Sequence, residues 1–281
     1  STFGTLLEML NFFVIGTACI SDGYNFYVQI FMVTLTPIFL SGLIFAAMHV
    51  RMKWMVPKDH KNPDQFKTSV RRQHWWTFIL LTYCVMPSTS VSIFRVFLCH
   101  PGFGDDMNEA YLRADYALHC YTEDLETGAI VYTFSHTLMR IYAGIMILVY
   151  PIGINTMYFT LLRRNRAIIN PKQQTIEKAV MLRASNPKVA YLSLIYRYYK
   201  PWCYLYENID SIRRLLLGGF FVFFSEANDA YNCCVAFLIS FLFYMIIRET
   251  QPFVEESNNT LQIVAQLVIM LVFFGGFLLA S

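Results

Sequence analysis

Long apolar runs alternate with shorter polar ones along this chain, and run length decides how they read. A helix crossing a bilayer needs about 20 mostly apolar residues, because each residue rises 1.5 Å against a hydrocarbon core of roughly 30 Å. Six stretches meet or approach that length: about Phe26 to Val50, Trp75 to Leu98, Ile130 to Leu162, Trp202 to Phe224, Cys233 to Ile247, and Leu261 to Ala280. The fourth is polar in its first half and apolar from Leu215, the fifth is short, and the last is uninterrupted by charge. Phe3 to Ile20 contains Glu8 and Asn11; it reads as an interfacial helix within a pre-helix segment (residues 1–25), with a seventh span as the alternative. The expected fold is an all-α polytopic membrane protein with six transmembrane helices within 26–281. Pro87 and Pro151 fall inside spans, where neighbouring helices and Ser or Thr side chains can satisfy freed backbone groups. Ser88, Thr89, Ser90 and Ser92 stand beside Pro87 for that purpose.

Composition sharpens this picture. Only 15% of the 281 residues are charged, against about 25% in a soluble domain, while 56% are hydrophobic and 17% aromatic. A mean hydropathy of +0.42 agrees. An ordinary soluble enzyme is excluded, and a net charge of +3 gives no ground for a nucleic-acid partner. The opening Ser-Thr-Phe has no basic n-region and does not read as a signal peptide; the chain reads as one segment of a longer protein.

Basic residues set the expected orientation. Seven follow the first span (Arg51, Lys53, Lys58, Lys61, Lys67, Arg71, Arg72) and nine follow the third, from Arg163, Arg164 and Arg166 to Lys200, with Arg213 and Arg214 just beyond. Residues 99–128 hold one basic residue, Arg113, and seven acids: Asp105, Asp106, Glu109, Asp115, Glu123, Asp124 and Glu126. Both basic connections are expected in the cytoplasm and the acidic loop outside. Cys99 and Cys120 share that loop, where an oxidising compartment permits a disulfide; two free thiols near the membrane surface are the alternative. Such a staple would add about 3 kcal/mol on the chain-entropy model. Cys19 also faces outward on this topology, Cys84 and Cys203 read as buried or cytosolic thiols, and Cys233 and Cys234 as packing residues.

Catalytic chemistry finds no support. No CxxC, HExxH, GxSxG, Walker A or GxGxxG pattern occurs, and the six histidines, His136 among them, lack metal-ligand spacing. No metal, cofactor or enzymatic activity is expected. Asp105, Asp106, Asn108 and Glu109 lack the EF-hand pattern and read as a solvated loop. Asn258-Asn259-Thr260 matches the glycosylation acceptor but lies on the cytoplasmic side of this topology, so it is expected to be unmodified.

The richest polar stretch runs from Tyr196 to Leu217. Aromatic and basic residues mix there as in an interfacial belt, and Pro201 suits a first helical turn. Asp210 lies three residues before Arg213 and four before Arg214, while Glu207 lies seven before Arg214, so these four can pair on one helix face. Charges entering a membrane are commonly paired and functional; the plainer reading is an anchor with snorkelling arginines. Arg163, Arg164 and Arg166 could attract anionic headgroups or serve topology alone. Gly275 and Gly276 could bend the last helix or, more commonly, pack it closely.

Five ordered elements carry a family likeness: Met86-Pro87-Ser88-Thr89-Ser90 leading to Cys99; Tyr111-Leu112-Arg113-Ala114-Asp115 leading to Cys120; Tyr150-Pro151-Ile152-Gly153-Ile154 before Leu161-Leu162-Arg163-Arg164; Tyr199-Lys200-Pro201, Glu207 and Ile212-Arg213-Arg214-Leu215-Leu216-Leu217; and Gln251-Pro252-Phe253, Asn259-Thr260-Leu261 and Gln266. From about Leu10 onward the chain resembles the TRP-like multispanning domain found at the C-terminus of large algal, oomycete and other protist surface proteins, distantly similar to polycystin-like proteins. The resemblance implies a preceding extracellular region, the Cys99–Cys120 disulfide and an extracellular Cys19. It implies residence at the cell surface, in a plasma or ciliary membrane. A conventional pore does not fit, because residues 249–260 are too few for a re-entrant helix and filter, and no filter motif is visible. The expected role is an anchor or sensor for an extracellular assembly, with membrane lipids as partners and homo- or hetero-oligomers open. A cation channel, with Asp105, Asp106, Asp115, Glu226 and Asp229 at its mouth, is the alternative, and a seven-span receptor a third.

Overall fold

The computed structural model describes residues 25–54, 63–102, 108–124, 127–171, 175–219 and 229–280. Among these, five helices are long and apolar enough to cross a membrane: Phe26–Trp54, Asp64–Arg95, Phe134–Arg164, Ala230–Thr250 and Glu256–Ala280. We name the elements α1 (Phe26–Trp54), α2 (Pro63–Arg95), α3 (Phe134–Ile147), α4 (Asn155–Arg164), α5 (Arg166–Ile169), α6 (Ile176–Ser185), α7 (Ser193–Tyr196), α8 (Tyr206–Gly219), α9 (Asp229–Thr250) and α10 (Glu256–Ala280). The fourth expected span corresponds to α8, whose 14 residues rise only about 21 Å. Residues 220–224, Phe3 to Ile20, Cys19, Asp105, Asp106 and Glu226 lie outside the described residues, and five of the six expected spans are seen among the described ones.

The chain is predominantly helical but not all-α. Between α2 and α3 a four-stranded antiparallel sheet forms in the order β1 (Cys99–Pro101), β2 (Glu109–Leu112), β3 (Asp115–Glu123), β4 (Ile130–Tyr132). The third apolar run therefore splits: Ile130 to Tyr132 pair with β3, and the helix starts only at Phe134. At three or four residues, β1, β2 and β4 leave little imprint in a polar loop. Cys99 and Cys120 form a disulfide with Cα atoms 6.4 Å apart. Ala110 opposes Tyr121 while Tyr111 opposes His119, so Cys120 is the extra residue of a β-bulge. The sheet also holds α1: Asp115 accepts the Phe26 N–H at 3.0 Å, capping a helix end with negative charge. Gly128, at φ +65°, closes the β3–β4 turn.

One apolar core joins α1, α2, the sheet, α3, α4, α5 and α7, with Ile30, Ile79, Ile93, Leu112, Ala143, Leu162, Leu192 and Ile195 fully or almost fully buried. Hydroxyls lace the helices within it. Thr34 and Tyr142 share a hydrogen bond of 2.6 Å, Tyr150 donates to the Thr34 carbonyl at 2.5 Å, and Thr82 pairs with Tyr158 at 2.8 Å. The apolar window of α2 is 44% buried and that of α10 only 6%. So α2 is central, and α10 leaves an apolar surface that a lipid phase would cover.

Pro151 explains the break between α3 and α4. Proline offers no N–H to the helical ladder, and the chain widens into a π-helix over Leu148–Ile154. Asn155 Nδ2 donates to the Pro151 carbonyl at 2.7 Å. At Pro87 the neighbouring Ser88, Ser90 and Ser92 hydroxyls take the carbonyls of Val85, Met86 and Ser88, and the helix continues. The wide turn depends on Gly153, where an added Cβ would meet the Leu148 carbonyl oxygen at 2.8 Å, whereas nothing lies within 4 Å of one at Gly144. Opposite effects are expected within one helix. Gly144→Ala should stabilise by about 0.5–1 kcal/mol through helix propensity, while Gly153→Ala should lower the thermal transition of the detergent-purified protein. Equal shifts from the two variants would remove the constraint assigned to the π turn.

Candidate functional site

The charged residues of α8 lie almost wholly inside the protein. Glu207, Asp210 and Arg213 are buried, and Arg214 alone keeps its side chain partly exposed. Spacings of three, four and seven place them along one face, and the contacts close. Arg213 Nε and Nη2 meet Asp210 Oδ1 at 2.9 and 2.8 Å. Arg214 Nε and Nη2 meet Asp210 Oδ2 at 2.8 and 2.5 Å, and the same Nη2 reaches Glu207 Oε1 at 3.2 Å. Asp210 is thus clamped between two guanidiniums. Two acids and two bases leave the group neutral, which offsets the desolvation an isolated buried charge would suffer. Snorkelling describes Arg214 only in part and Arg213 not at all.

Further partners come from elsewhere in the chain, and the Tyr83 hydroxyl of α2 also engages Glu207 and Arg214. The Tyr199 hydroxyl donates to Glu207 Oε2. Arg213 Nη1 donates to Gln266 Oε1 at 3.0 Å, and Gln266 Nε2 donates to the Ser240 carbonyl at 3.1 Å. Asn208 Nδ2 donates to the Asn155 carbonyl at 2.8 Å, fastening α8 beside the π turn. The cluster therefore ties α8 to α4, to the segment before α8 and to both final helices. Asn259 and Gln266 are the buried residues of α10.

Tyr199 is itself held in place. Residues 198–200 pair with the α9–α10 connection through Lys200 N–H to Pro252 carbonyl (2.7 Å) and Val254 N–H to Tyr198 carbonyl (3.0 Å). That connection turns through Gln251 at φ +38°. The Asn259 amide clamps it by accepting the Phe253 N–H and donating to the Phe253 carbonyl, at 2.9 and 3.0 Å. From below, Arg183 of α6 donates through Nη2 to the carbonyls of Arg197 (3.1 Å) and Tyr199 (2.6 Å). Its guanidinium lies over the Tyr196 ring, 5.4 Å from the centroid. Arg183 is 1% exposed, and burial pulls its pKa below the usual arginine range.

The other expected site residues lie apart from this cluster. Arg163, Arg164 and Arg166 are exposed where α4 ends, with Arg163 over Phe159. Gly276 is a packing position, where an added Cβ would stand 3.2 Å from Cys233 Sγ, whereas Gly275 has open space. A tighter approach than either occurs at Gly219 of α8, where a Cβ would overlap the Phe94 ring at 2.1 Å. Asp115 caps α1, and Glu109 accepts from Tyr111 at 2.5 Å and faces His119 at 3.5 Å. Far from the charge cluster, Cys99, Cys120 and His136 bring their ligand atoms within 4.8 Å of one another. Spacing gave no sign of that group because its members come from β1, β3 and α3.

Tyr199, Gln266 and Arg183 escaped the sequence reading as members of the charge cluster. Gln266 left a visible signal, being a polar residue deep in an otherwise apolar run. Gln266→Leu should leave Arg213 Nη1 without its acceptor and Ser240 without its donor, each buried loss costing about 1–3 kcal/mol. Val268→Leu, at an exposed position of the same helix, should be nearly neutral. Unfolding of the two proteins in mixed micelles checks the difference, and similar midpoints would deny the cluster its hold on α10. Comparisons with protein-family models, with curated proteins and with solved structures gave no match.

Proposed function

We propose that this chain is a TRP-like membrane domain acting as an anchor or sensor for an extracellular assembly at the cell surface, with its basic end in the cytoplasm and its disulfide-stapled sheet outside. One observation carries the reading. An unbroken set of polar contacts runs from Arg183 through Tyr199, Glu207, Arg214, Asp210 and Arg213 to Gln266 and Ser240. It joins the basic layer to a final helix pair that is otherwise little buried. The sheet is tied to α1 by Asp115, and α4 is tied to α8 by Asn208. A displacement of the sheet therefore has a packed and hydrogen-bonded route to the basic end. The four α8 charges on this route neutralise one another, which suits a mechanical link better than an ion path. Membrane lipids and the attached extracellular region are its partners.

The second reading is a cation channel. The buried Arg213–Gln266 contact favours it, since polar groups within the last two helices would line any path between subunits. Recording from the purified protein in planar bilayers, with and without applied tension, separates the two. The anchor reading expects silence from well-folded protein and copurification of an extracellular partner that survives neutralisation of Glu123 and Asp124. Reproducible cation-selective openings, abolished by Gly275→Leu, would overturn it in favour of the channel.

A further inference from the structure

We infer that Cys99, Cys120 and His136 form a redox-gated binding site for a soft metal ion, closed by the disulfide and opened by its reduction. The inference goes beyond the anchor reading and does not depend on it. His136 is completely buried, and its Nε2 stands 3.6 Å from Cys99 Sγ. A tetrahedral zinc ion, with bonds of about 2.3 Å to sulfur and about 2.05 Å to imidazole nitrogen, places its sulfur and nitrogen ligands about 3.5 Å apart. The imidazole therefore already stands at the separation such an ion requires. The cysteine Cα separation of 6.4 Å leaves the two sulfurs free to part once the bond between them is broken.

The surroundings fit a ligand histidine. Metal-binding imidazoles use their second nitrogen to hold a hydrogen-bond partner that fixes ring orientation and tautomer. Here Nδ1 lies 3.0 Å from the Tyr27 hydroxyl, and the ring is flanked by those of Tyr27 and Tyr132. In the metal-bound form Nδ1–H donates to Tyr27, leaving the Nε2 lone pair for the ion. In the disulfide form the opposite tautomer serves, with Tyr27 donating to Nδ1 and Nε2–H directed at sulfur. Two thiolates and one imidazole select zinc(II) or copper(I) over harder cations, and a fourth position is left for water.

Opening the site is ordinary thiol–disulfide exchange with a dithiol reductant. A thiolate of the reductant attacks Sγ of Cys99, the half-buried member of the pair, and Cys120 leaves as thiolate and is protonated. The second thiol of the reductant attacks the mixed disulfide and releases Cys99. Two electrons and two protons reach the cysteine pair, and the reductant ends as a cyclic disulfide. Zinc then displaces the two thiol protons.

The test uses the full chain in lipid nanodiscs, oxidised or reduced with a dithiol that is then removed, titrated with zinc against a chromogenic chelator. Among the described residues Cys84, Cys203, Cys233 and Cys234 are free, so the oxidised protein controls for them, and a Cys19→Ser background removes the remaining thiol. Reduction should add one zinc per chain, and cobalt should show thiolate charge-transfer absorption. His136→Ala should weaken the added site at least 100-fold, and Tyr27→Phe by about 10-fold. Should reduction alone unfold the sheet, zinc should restore the thermal transition of the wild type but not that of His136→Ala. Two newly exposed thiols with no added zinc and no restored transition, or a site indifferent to His136→Ala, would overturn the proposal.

Discussion

A carboxylate cannot sit ionised inside a largely apolar helix bundle unless its charge and its lone pairs are answered, and Asp210 imposes that demand here. Both of its oxygens are occupied by guanidinium nitrogens of Arg213 and Arg214. The arginines then have donors to place, which draws Glu207 and Gln266 into position. Glu207 in turn requires the Tyr199 hydroxyl. Because an unmet polar atom in such a place costs roughly twice what a typical hydrogen bond contributes, each partner constrains the next. The seat of α10 and the course of residues 198–200 both follow from four charges on one helix.

The same chain of requirements explains which parts were readable in advance. Run length alone exposed the helices around Phe26, Trp75, Ile130, Cys233 and Leu261, since bilayer thickness acts on single segments. The pairing of Glu207, Asp210, Arg213 and Arg214 was readable because helical spacing is local. The cysteine staple was readable from shared location. Tyr199 and Gln266 complete the cluster from 8 and 53 positions away from their partners, a distance at which periodicity carries no information. Arg183 was hidden by its own charge: in a basic stretch it counted toward orientation, yet it is one of the most deeply buried side chains. The sheet was hidden because β1 and β4 have three residues each, too few to show alternation. His136 met the cysteines only through that sheet.

Asp115 shows how local chemistry can alter a functional reading. As one of seven acids in the loop it counted toward a cation-attracting mouth. In the fold its Oδ2 caps α1 and its Oδ1 accepts the Ala117 N–H at 3.1 Å, so its charge is committed to backbone donors. Glu109 is likewise engaged with Tyr111 and His119. Two of the seven loop acids, Asp115 and Glu109, therefore hold the sheet end and its junction with α1 together as well as contributing charge.

The final helix pair gives that sheet end something to act upon. Two levels fasten it: the Asn259 clamp with the paired strand at residues 198–200, and the Gln266 contact with Arg213. From Gln266 to Ala280 the helix extends 14 residues, about 21 Å at 1.5 Å per residue, with no buried residue among those described. Along that arm Gly276 packs against Cys233 of α9, so the two helices stay in contact there. On the proposed anchor reading, a lateral load carried by α10 would pivot about Gln266 and fall on the Arg213–Asp210 pair. That pair is linked through Arg214 and Glu207 to Tyr199, whose backbone Arg183 holds. A lever with its fulcrum in a buried ion network is the arrangement that the proposed anchor role requires.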